Sequence, residues 1–201
     1  MSSSDLALLV SISTSTKLLN RLPELVLDNE HISELVLRGA DLSGVSFVGA
    51  TLEEADLCGV SAGDAWFGSA NLQGSALNGA GLSGVCFDDA NLAGVTARGA
   101  MFQHCDFIGT NLTGVFVAGG IFEYCDFSNA VLDDLEASGA TFYDCNFEGA
   151  TLDPLGLDLA TFTQCSGTPV GGLPEGTSTY RLKDRFFWEK HPVKDANVVA
   201  V

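Results

Sequence analysis

Positive charge is scarce in this 201-residue chain: 9 Lys and Arg stand against 26 Asp and Glu, a formal net charge of -17. A surface that grips nucleic acid sets Lys and Arg against phosphates, so the composition argues against nucleic-acid binding and favours partners with basic surfaces. Histidine is as scarce, with His31, His104 and His191 scattered along the chain. No Ser/His/Asp set, phosphate-cradling loop or zinc-type spacing occurs, so no catalytic centre, metal site or cofactor is expected. No apolar run approaches the ~18 residues of a membrane-spanning helix. The opening MSSSDLALLVSIS has no basic segment and an early Asp5, unlike a secretory signal. Six cysteines without metal-type spacing, and no signal, point to a reducing cytoplasm.

What the chain has instead is a repeat. It is 46% hydrophobic, too rich in apolar residues for a disordered acidic tail. Stepping by five from Leu37 reaches Leu42, Phe47, Leu52, Leu57 and Ala62, and continues without a slip to Phe147, Leu152, Leu157 and Phe162. Every position on that path is apolar. The position two before each is small or apolar almost throughout, as at Ala40, Val45, Ala50 and later Cys105, Cys125 and Cys145; the position two after is most often Gly. A period of five fits neither regular element. On an α-helix such residues smear around the cylinder, and on a continuous strand an odd period flips each to the opposite face. The pattern requires a unit that resets its direction every five residues, with two side chains pointing inward and a corner made by the rest.

A longer period sets the number of corners. FQHCDFIGTNL (102–112), FEYCDFSNAVL (122–132) and FYDCNFEGATL (142–152) are copies spaced by twenty. Phe47, Phe67, Phe87, Phe107, Phe127 and Phe147 form one column, and Leu52 through Leu152 the next. Leu57, Leu77, Ala97, Val117, Ala137 and Leu157 form a third; Leu42, Ala62, Leu82, Phe102, Phe122, Phe142 and Phe162 form a fourth. Four five-residue sides make a square coil, and stacked coils make a solenoid that buries each face against its neighbours.

Units such as ADLSG (40–44), ADLCG (55–59), ANLQG (70–74), ANLAG (90–94) and CDFSN (125–129) match the pattern A-(D/N)-L-x-x. Over about residues 35–165 the sequence resembles the pentapeptide-repeat proteins. The resemblance implies an all-β fold, a right-handed quadrilateral β-helix. It divides the chain into an N-terminal cap (1–34), the repeat (35–165), and a loop plus C-terminal helix (166–201) for capping and dimerisation. STSTKLLNRL (13–22) reads as a short helix stopped by Pro23. SGTPVGGLPEGTS (166–178) reads as a Gly/Pro loop that breaks the register, and TYRLKDRFFWEKH (179–191) as a helix stopped by Pro192.

The cysteine column Cys105, Cys125, Cys145 and Cys165 is expected inside, as small buried hydrophobes too far apart for an unstrained disulfide. The doublets Asp88-Asp89 and Asp133-Asp134 are expected on outer corners with no apolar wall to separate their pKa values for acid/base work. Over 35–165 the acids outnumber Arg38 and Arg98 heavily. At about 4.8 Å per coil the repeat spans roughly 31 Å, about one net negative charge per 2 Å, against about one per 1.7 Å in duplex DNA. Members of the family with known roles include bacterial proteins that bind DNA gyrase, resemble DNA in size, shape and charge, and dimerise through their C-terminal ends.

The resemblance therefore implies a non-catalytic acidic rod that mimics duplex DNA and binds a type II topoisomerase such as DNA gyrase or topoisomerase IV. The expected contact residues are Asp88, Asp89, Asp106, Asp126 and Glu148, all outward along the Phe47 column. The alternative is a structural interaction scaffold unrelated to topoisomerases, using an apolar patch of Met101, Phe116, Ile121 and Tyr124. Trp66 also points outward by register. Leu182, Phe186, Phe187 and Trp188 are the candidate dimerisation residues, because consecutive aromatics cannot share one helix face. The apolar tail ANVVAV (196–201) is expected to add to that junction.

Overall fold

The computed structural model describes residues 25–152, 156–157, 159–167, 169–170 and 178–180. The chain winds as a quadrilateral β-helix. Parallel pairs form between residues twenty apart on each of four sides, as in Trp66 with Cys86, Asn71 with Asn91, Ala76 with Thr96, and Gly81 with Met101. The sides are called here the first (Phe47 column), second (Leu52 column), third (Leu57 column) and fourth face (Leu42 to Phe162 column).

The fourth face is the most regular. Its strands are β1 (Ser61–Gly63), β2 (Gly81–Ser83), β3 (Met101–Gln103), β4 (Ile121–Glu123), β6 (Thr141–Tyr143), β8 (Thr161–Thr163) and β9 (Ser178–Tyr180), joined as one parallel sheet in the order β1-β2-β3-β4-β6-β8-β9. On the second face β5 (Val131–Leu132) pairs with β7 (Thr151–Leu152). Elsewhere each side is too short for more than single bridges.

The five-residue unit explains its own composition. Its central residue is buried, its N–H donating to the next coil, as from Phe87 to the Asp106 carbonyl at 2.7 Å. Two residues on, the chain enters the left-handed region. Every described corner does so, from Asn29 (φ 58) to Gln164 (φ 56), which is why Gly is the commonest corner residue. A turn bond often closes the corner, as from the Ala90 N–H to the Phe87 carbonyl at 2.9 Å.

The residue after the centre has an N–H with no backbone acceptor. The Asp or Asn before the centre supplies one: Asp41 accepts from the Ser43 N–H (3.0 Å), Asn91 from Ala93 (3.2 Å) and Asp126 from Ser128 (2.8 Å). That is the physical basis of the (D/N) in the repeat.

The interior is a set of ladders. Phe47 to Phe147 stack ring on ring at 4.9–5.2 Å, and Phe102 to Phe162 stack alongside at 4.6–4.8 Å. The two columns meet edge to face, for example Phe102 with Phe107 at 5.6 Å. Cys105, Cys125, Cys145 and Cys165 are buried free thiols, each directing its Sγ at a carbonyl, as Cys125 at Phe102 O (3.5 Å). Thr110 makes the equivalent bond to Phe87 O at 2.7 Å.

The pairing runs past the expected 35–165 at both ends. Val26 bridges Ser46, His31 bridges Thr51, and Leu27 and Ile32 are buried, because they continue the five-residue step backwards. After Cys165 the register shortens without the stacking ending. Ser166 bridges Asn146, Val170 bridges Thr151, and β9 pairs with β8 through Ser178 and Thr161. Thr179 and Tyr180, expected to open a helix over 179–191, are therefore strand; a β-branched and an aromatic residue suit the open edge of β8. Residues 181–191 and the expected helix over 13–22 lie outside the described residues.

Candidate functional site

The structure places Asp88, Asp89, Asp106, Asp126 and Glu148 on the first face, as their register requires. Asp89, Asp106 and Glu148 are exposed, and Asp88 and Asp126 are half-buried. Asp126 is tied into the fold, accepting from the Ser128 N–H, the Ser128 hydroxyl (2.5 Å) and Asn146 Nδ2 (3.2 Å). Asp88 accepts the Ile108 N–H at 3.2 Å. That donor belongs by pattern to Asp106, whose carboxylate is left with no hydrogen bond. Asp106 is instead bridged to Asp126 in the ladder. Partial burial, and then the Asp88 and Asp126 carboxylates, raise its pKa above the ordinary value.

The described cationic side chains Arg38 and Arg98 are both on the third face. Arg38 pairs with Asp56 at 2.6 Å. Partial burial of Asp56 opposes its ionisation, but the Cys58 N–H and Arg38 together lower its pKa. The first face thus holds carboxylates with no Lys or Arg among its described residues.

Charge is uneven along the axis. No charged residue lies between Asp64 and Asp88, nor between Asp106 and Glu123. Acids crowd into one band from Asp28 to Asp64 and another from Glu123 to Glu148, with a sparser stretch between that holds Asp88, Asp89, Asp106 and Arg98. In that stretch Asn71, Asn91 and Asn111 form a side-chain ladder, Nδ2 to Oδ1 at 3.0 and 3.1 Å. Here Asn supplies the acceptor that Asp supplies in the bands.

The apolar candidates divide. Met101 and Ile121 are cross-strand partners on the fourth face, the first 41% exposed and the second half-buried. Phe116 is half-buried on the third face, between Thr96 and Glu136. Tyr124 is 46% exposed at the corner of the fourth and first faces, so Phe116 and Tyr124 lie at opposite edges of the sheet and do not form one patch. Trp66 is 54% exposed on the first face. Leu182, Phe186, Phe187, Trp188 and the tail ANVVAV lie outside the described residues.

Sequence reasoning passed over one feature. His104 (φ 53) and Tyr124 (φ 57) occupy successive left-handed corners, and their rings stack at 4.8 Å and 7°. Tyr143 meets Tyr124 edge-on at 5.4 Å. A left-handed non-Gly residue costs about 1–2 kcal/mol, whereas an aromatic stack returns about 0.5–1.5 kcal/mol. The signal was available: at the corner step, where Gly predominates, a His and a Tyr stand twenty residues apart.

Among the described residues no group of His, Cys, Asp and Glu is placed to hold a metal ion, and no helix is long and apolar enough to cross a membrane.

The stacked square coils, the inward Leu/Phe and Ala columns and the Asp/Asn acceptors define a repeat protein whose outer surface is free to vary. The family model for pentapeptide repeats matches residues 36–74, 75–114 and 118–153, and the chain belongs to that family. Among solved structures, a trypsin-treated variant of QnrB1, a plasmid-mediated fluoroquinolone resistance protein, is similar with a TM-score of 0.53. Sequence identity is 18%, over 78% of this chain and 79% of that one, a likeness of fold. HetL, a pentapeptide repeat protein involved in heterocyst differentiation regulation in the cyanobacterium Nostoc, aligns at 19% identity over 77% of this chain and 93% of its own, TM-score 0.39. A pentapeptide repeat protein of the Arabidopsis thaliana thylakoid lumen aligns at 23% identity over 51% and 73%, TM-score 0.46. Comparison with curated protein sequences finds no match.

Proposed function

We propose that the protein is a cytoplasmic, non-catalytic acidic rod that mimics duplex DNA, binds the basic DNA-binding surface of a type II topoisomerase, DNA gyrase or topoisomerase IV, and modulates or protects it. The observation that carries this reading is charge in excess of structural need. The fold requires an Oδ1 before each central residue, and Asn provides it without charge at Asn71, Asn91, Asn111 and Asn146. Asp nevertheless stands at Asp41, Asp56 and Asp126, and the side-chain carboxylates of Glu54, Asp106, Asp133, Asp134 and Glu136 accept no hydrogen bond among the described residues. Unpaired like charges destabilise a compact fold, so their retention supports a partner of opposite sign. Both arginines among the described residues lie on the third face, which favours contact through the first face and its flanking corners. The shared fold with a fluoroquinolone resistance protein motivates the choice of enzyme.

The test is a gyrase supercoiling assay, with and without a quinolone, titrated with wild-type protein and with a variant carrying Lys at positions 88, 106 and 126. Inhibition or protection at micromolar wild-type protein, lost in the variant, is expected. No effect of the wild type sinks the reading. A protein partner captured equally by the wild type and the variant supports the scaffold reading instead.

The Phe186-Phe187-Trp188 run supports a homodimer through the C-terminal ends. Light scattering should then give a dimeric mass for the wild type and a monomeric one when Phe187 and Trp188 are made polar. A monomeric wild type refutes the dimer.

A further inference from the structure

We infer that the exposed corner formed by His104, Tyr124 and Tyr143 is a docking site for an arginine-bearing segment of a protein partner. The inference rests on the reading of the rod as a binder of basic surfaces, and narrows it to one place and one side chain.

Three observations converge there. The first is strain without a core role. His104 and Tyr124 hold left-handed backbone at corners where Gly fits without cost, and their rings lie outside the buried ladders. The other non-Gly corners carry Asn, Asp, Glu, Gln, Ser or Leu, so it is the pair of rings that sets this corner apart. The second is an ordered aromatic surface. The two rings are parallel and in contact, with Tyr143 edge-on to Tyr124. Twenty residues before His104 the corner residue is Gly84, and the Asp64 carboxylate lies against the space a side chain would take there.

The third is charge. Asp106 and Asp126 flank the strip on the first face, and Glu123 flanks it on the fourth, where it accepts from Gln103 Nε2 at 2.8 Å. Asp106 has no partner of its own. The Tyr143 phenol first of all, then desolvation, and after them the Asp144 and Glu123 carboxylates raise the pKa of the Tyr124 phenol. A phosphate or carboxylate ligand is repelled from such a place. A guanidinium is matched by it on two counts: its plane stacks on aromatic rings and its fork takes carboxylates, whereas an ammonium offers only a point charge. The expected occupant therefore carries Arg rather than Lys.

The experiment uses the full chain and two fluorescein-labelled peptides, nine arginines and nine lysines, with binding read by anisotropy at about 0.15 M salt. The wild type should bind the arginine peptide about fivefold or more tightly than the lysine peptide. The double variant His104→Gly/Tyr124→Gly should lose that preference and keep its affinity for the lysine peptide. It should melt at or above the wild-type temperature, since Gly relieves both corners. Ser69→Gly, another left-handed corner at φ 56, should leave the preference intact. Asp106→Asn should weaken both peptides. Equal wild-type affinity for the two peptides, or an arginine preference that survives the double variant, overturns the inference. An arginine preference that disappears with the rings, in a protein that leaves supercoiling untouched, upholds this corner while refuting the topoisomerase reading. Inhibition of gyrase by a protein with no arginine preference does the reverse.

Discussion

Phe107 offers the sharpest test of how this rod is held together. Its ring is buried and stacked between Phe87 (5.1 Å) and Phe127 (4.9 Å), with Phe102 and Phe122 edge-on at 5.6 and 6.3 Å. Phe47, in the same column, is as deeply buried, but the ring stacked on it is Phe67 alone (4.9 Å). Truncating a buried Phe to Ala costs about 3–5 kcal/mol in lost transfer energy and residual cavity. Each aromatic pair adds about 0.5–1.5 kcal/mol beyond the area buried. Phe47→Ala should therefore cost about 3 kcal/mol and Phe107→Ala about 5 kcal/mol, the difference arising from the additional ring contacts. A solenoid has only its neighbours to hold each coil, so the cavity cannot be closed by collapse from elsewhere. Urea denaturation followed by far-UV circular dichroism measures both, with hydrogen exchange showing whether the coils on either side of Phe107 open together. If Phe107→Ala costs no more than Phe47→Ala, the ring ladder is only a column of bulk and the reasoning fails.

Ser75 has a buried hydroxyl with no hydrogen-bond partner, in a column where Ala55 and Val95 are its neighbours; Ser75→Ala should raise stability by about 1–2 kcal/mol in the same denaturation assay. At Gly94 (φ 68) an added Cβ meets open space, so Gly94→Ala isolates the cost of left-handed backbone, about 1–2 kcal/mol, whereas Asp134→Gly should recover a similar amount. A thiol-reactive disulfide reagent should label Cys58 and Cys86 in the native protein and reach Cys105, Cys125 and Cys145 only on unfolding, since the last three are buried and burial raises the Cys145 pKa. Asp106 has a raised pKa in the folded protein, so it disfavours folding when ionised and this penalty is relieved as pH falls through that value. Asp106→Asn should accordingly melt higher than the wild type at pH 7, the gap closing as pH falls into the ordinary carboxylate range.

Much of this architecture is written at single positions. The step of five from Leu37 named the buried columns, and the twenty-residue spacing named which rings stack, because each residue's inward or outward direction is repeated identically in every coil. The same logic placed Asp106 and Tyr124 outside. It stopped short at the ends. Leu27 and Ile32 were on the register and could have been included, while β9 could not. Its pairing with β8 replaces a spacing of twenty by seventeen, and whether Ser178–Tyr180 continues a stack or begins a helix depends on the open edge it meets.

Sequence alone therefore determined the fold, the interior and the sign of the surface, since all three follow from residue type and period. The tertiary structure decided how neighbouring coils share their polar groups. Asp88 takes the N–H that the pattern assigns to Asp106, and Phe116 and Tyr124 are parted by the width of a sheet. Neither is readable along the chain, because each depends on side chains twenty residues apart being held one coil spacing from each other, where a hydrogen bond goes to whichever group is nearer.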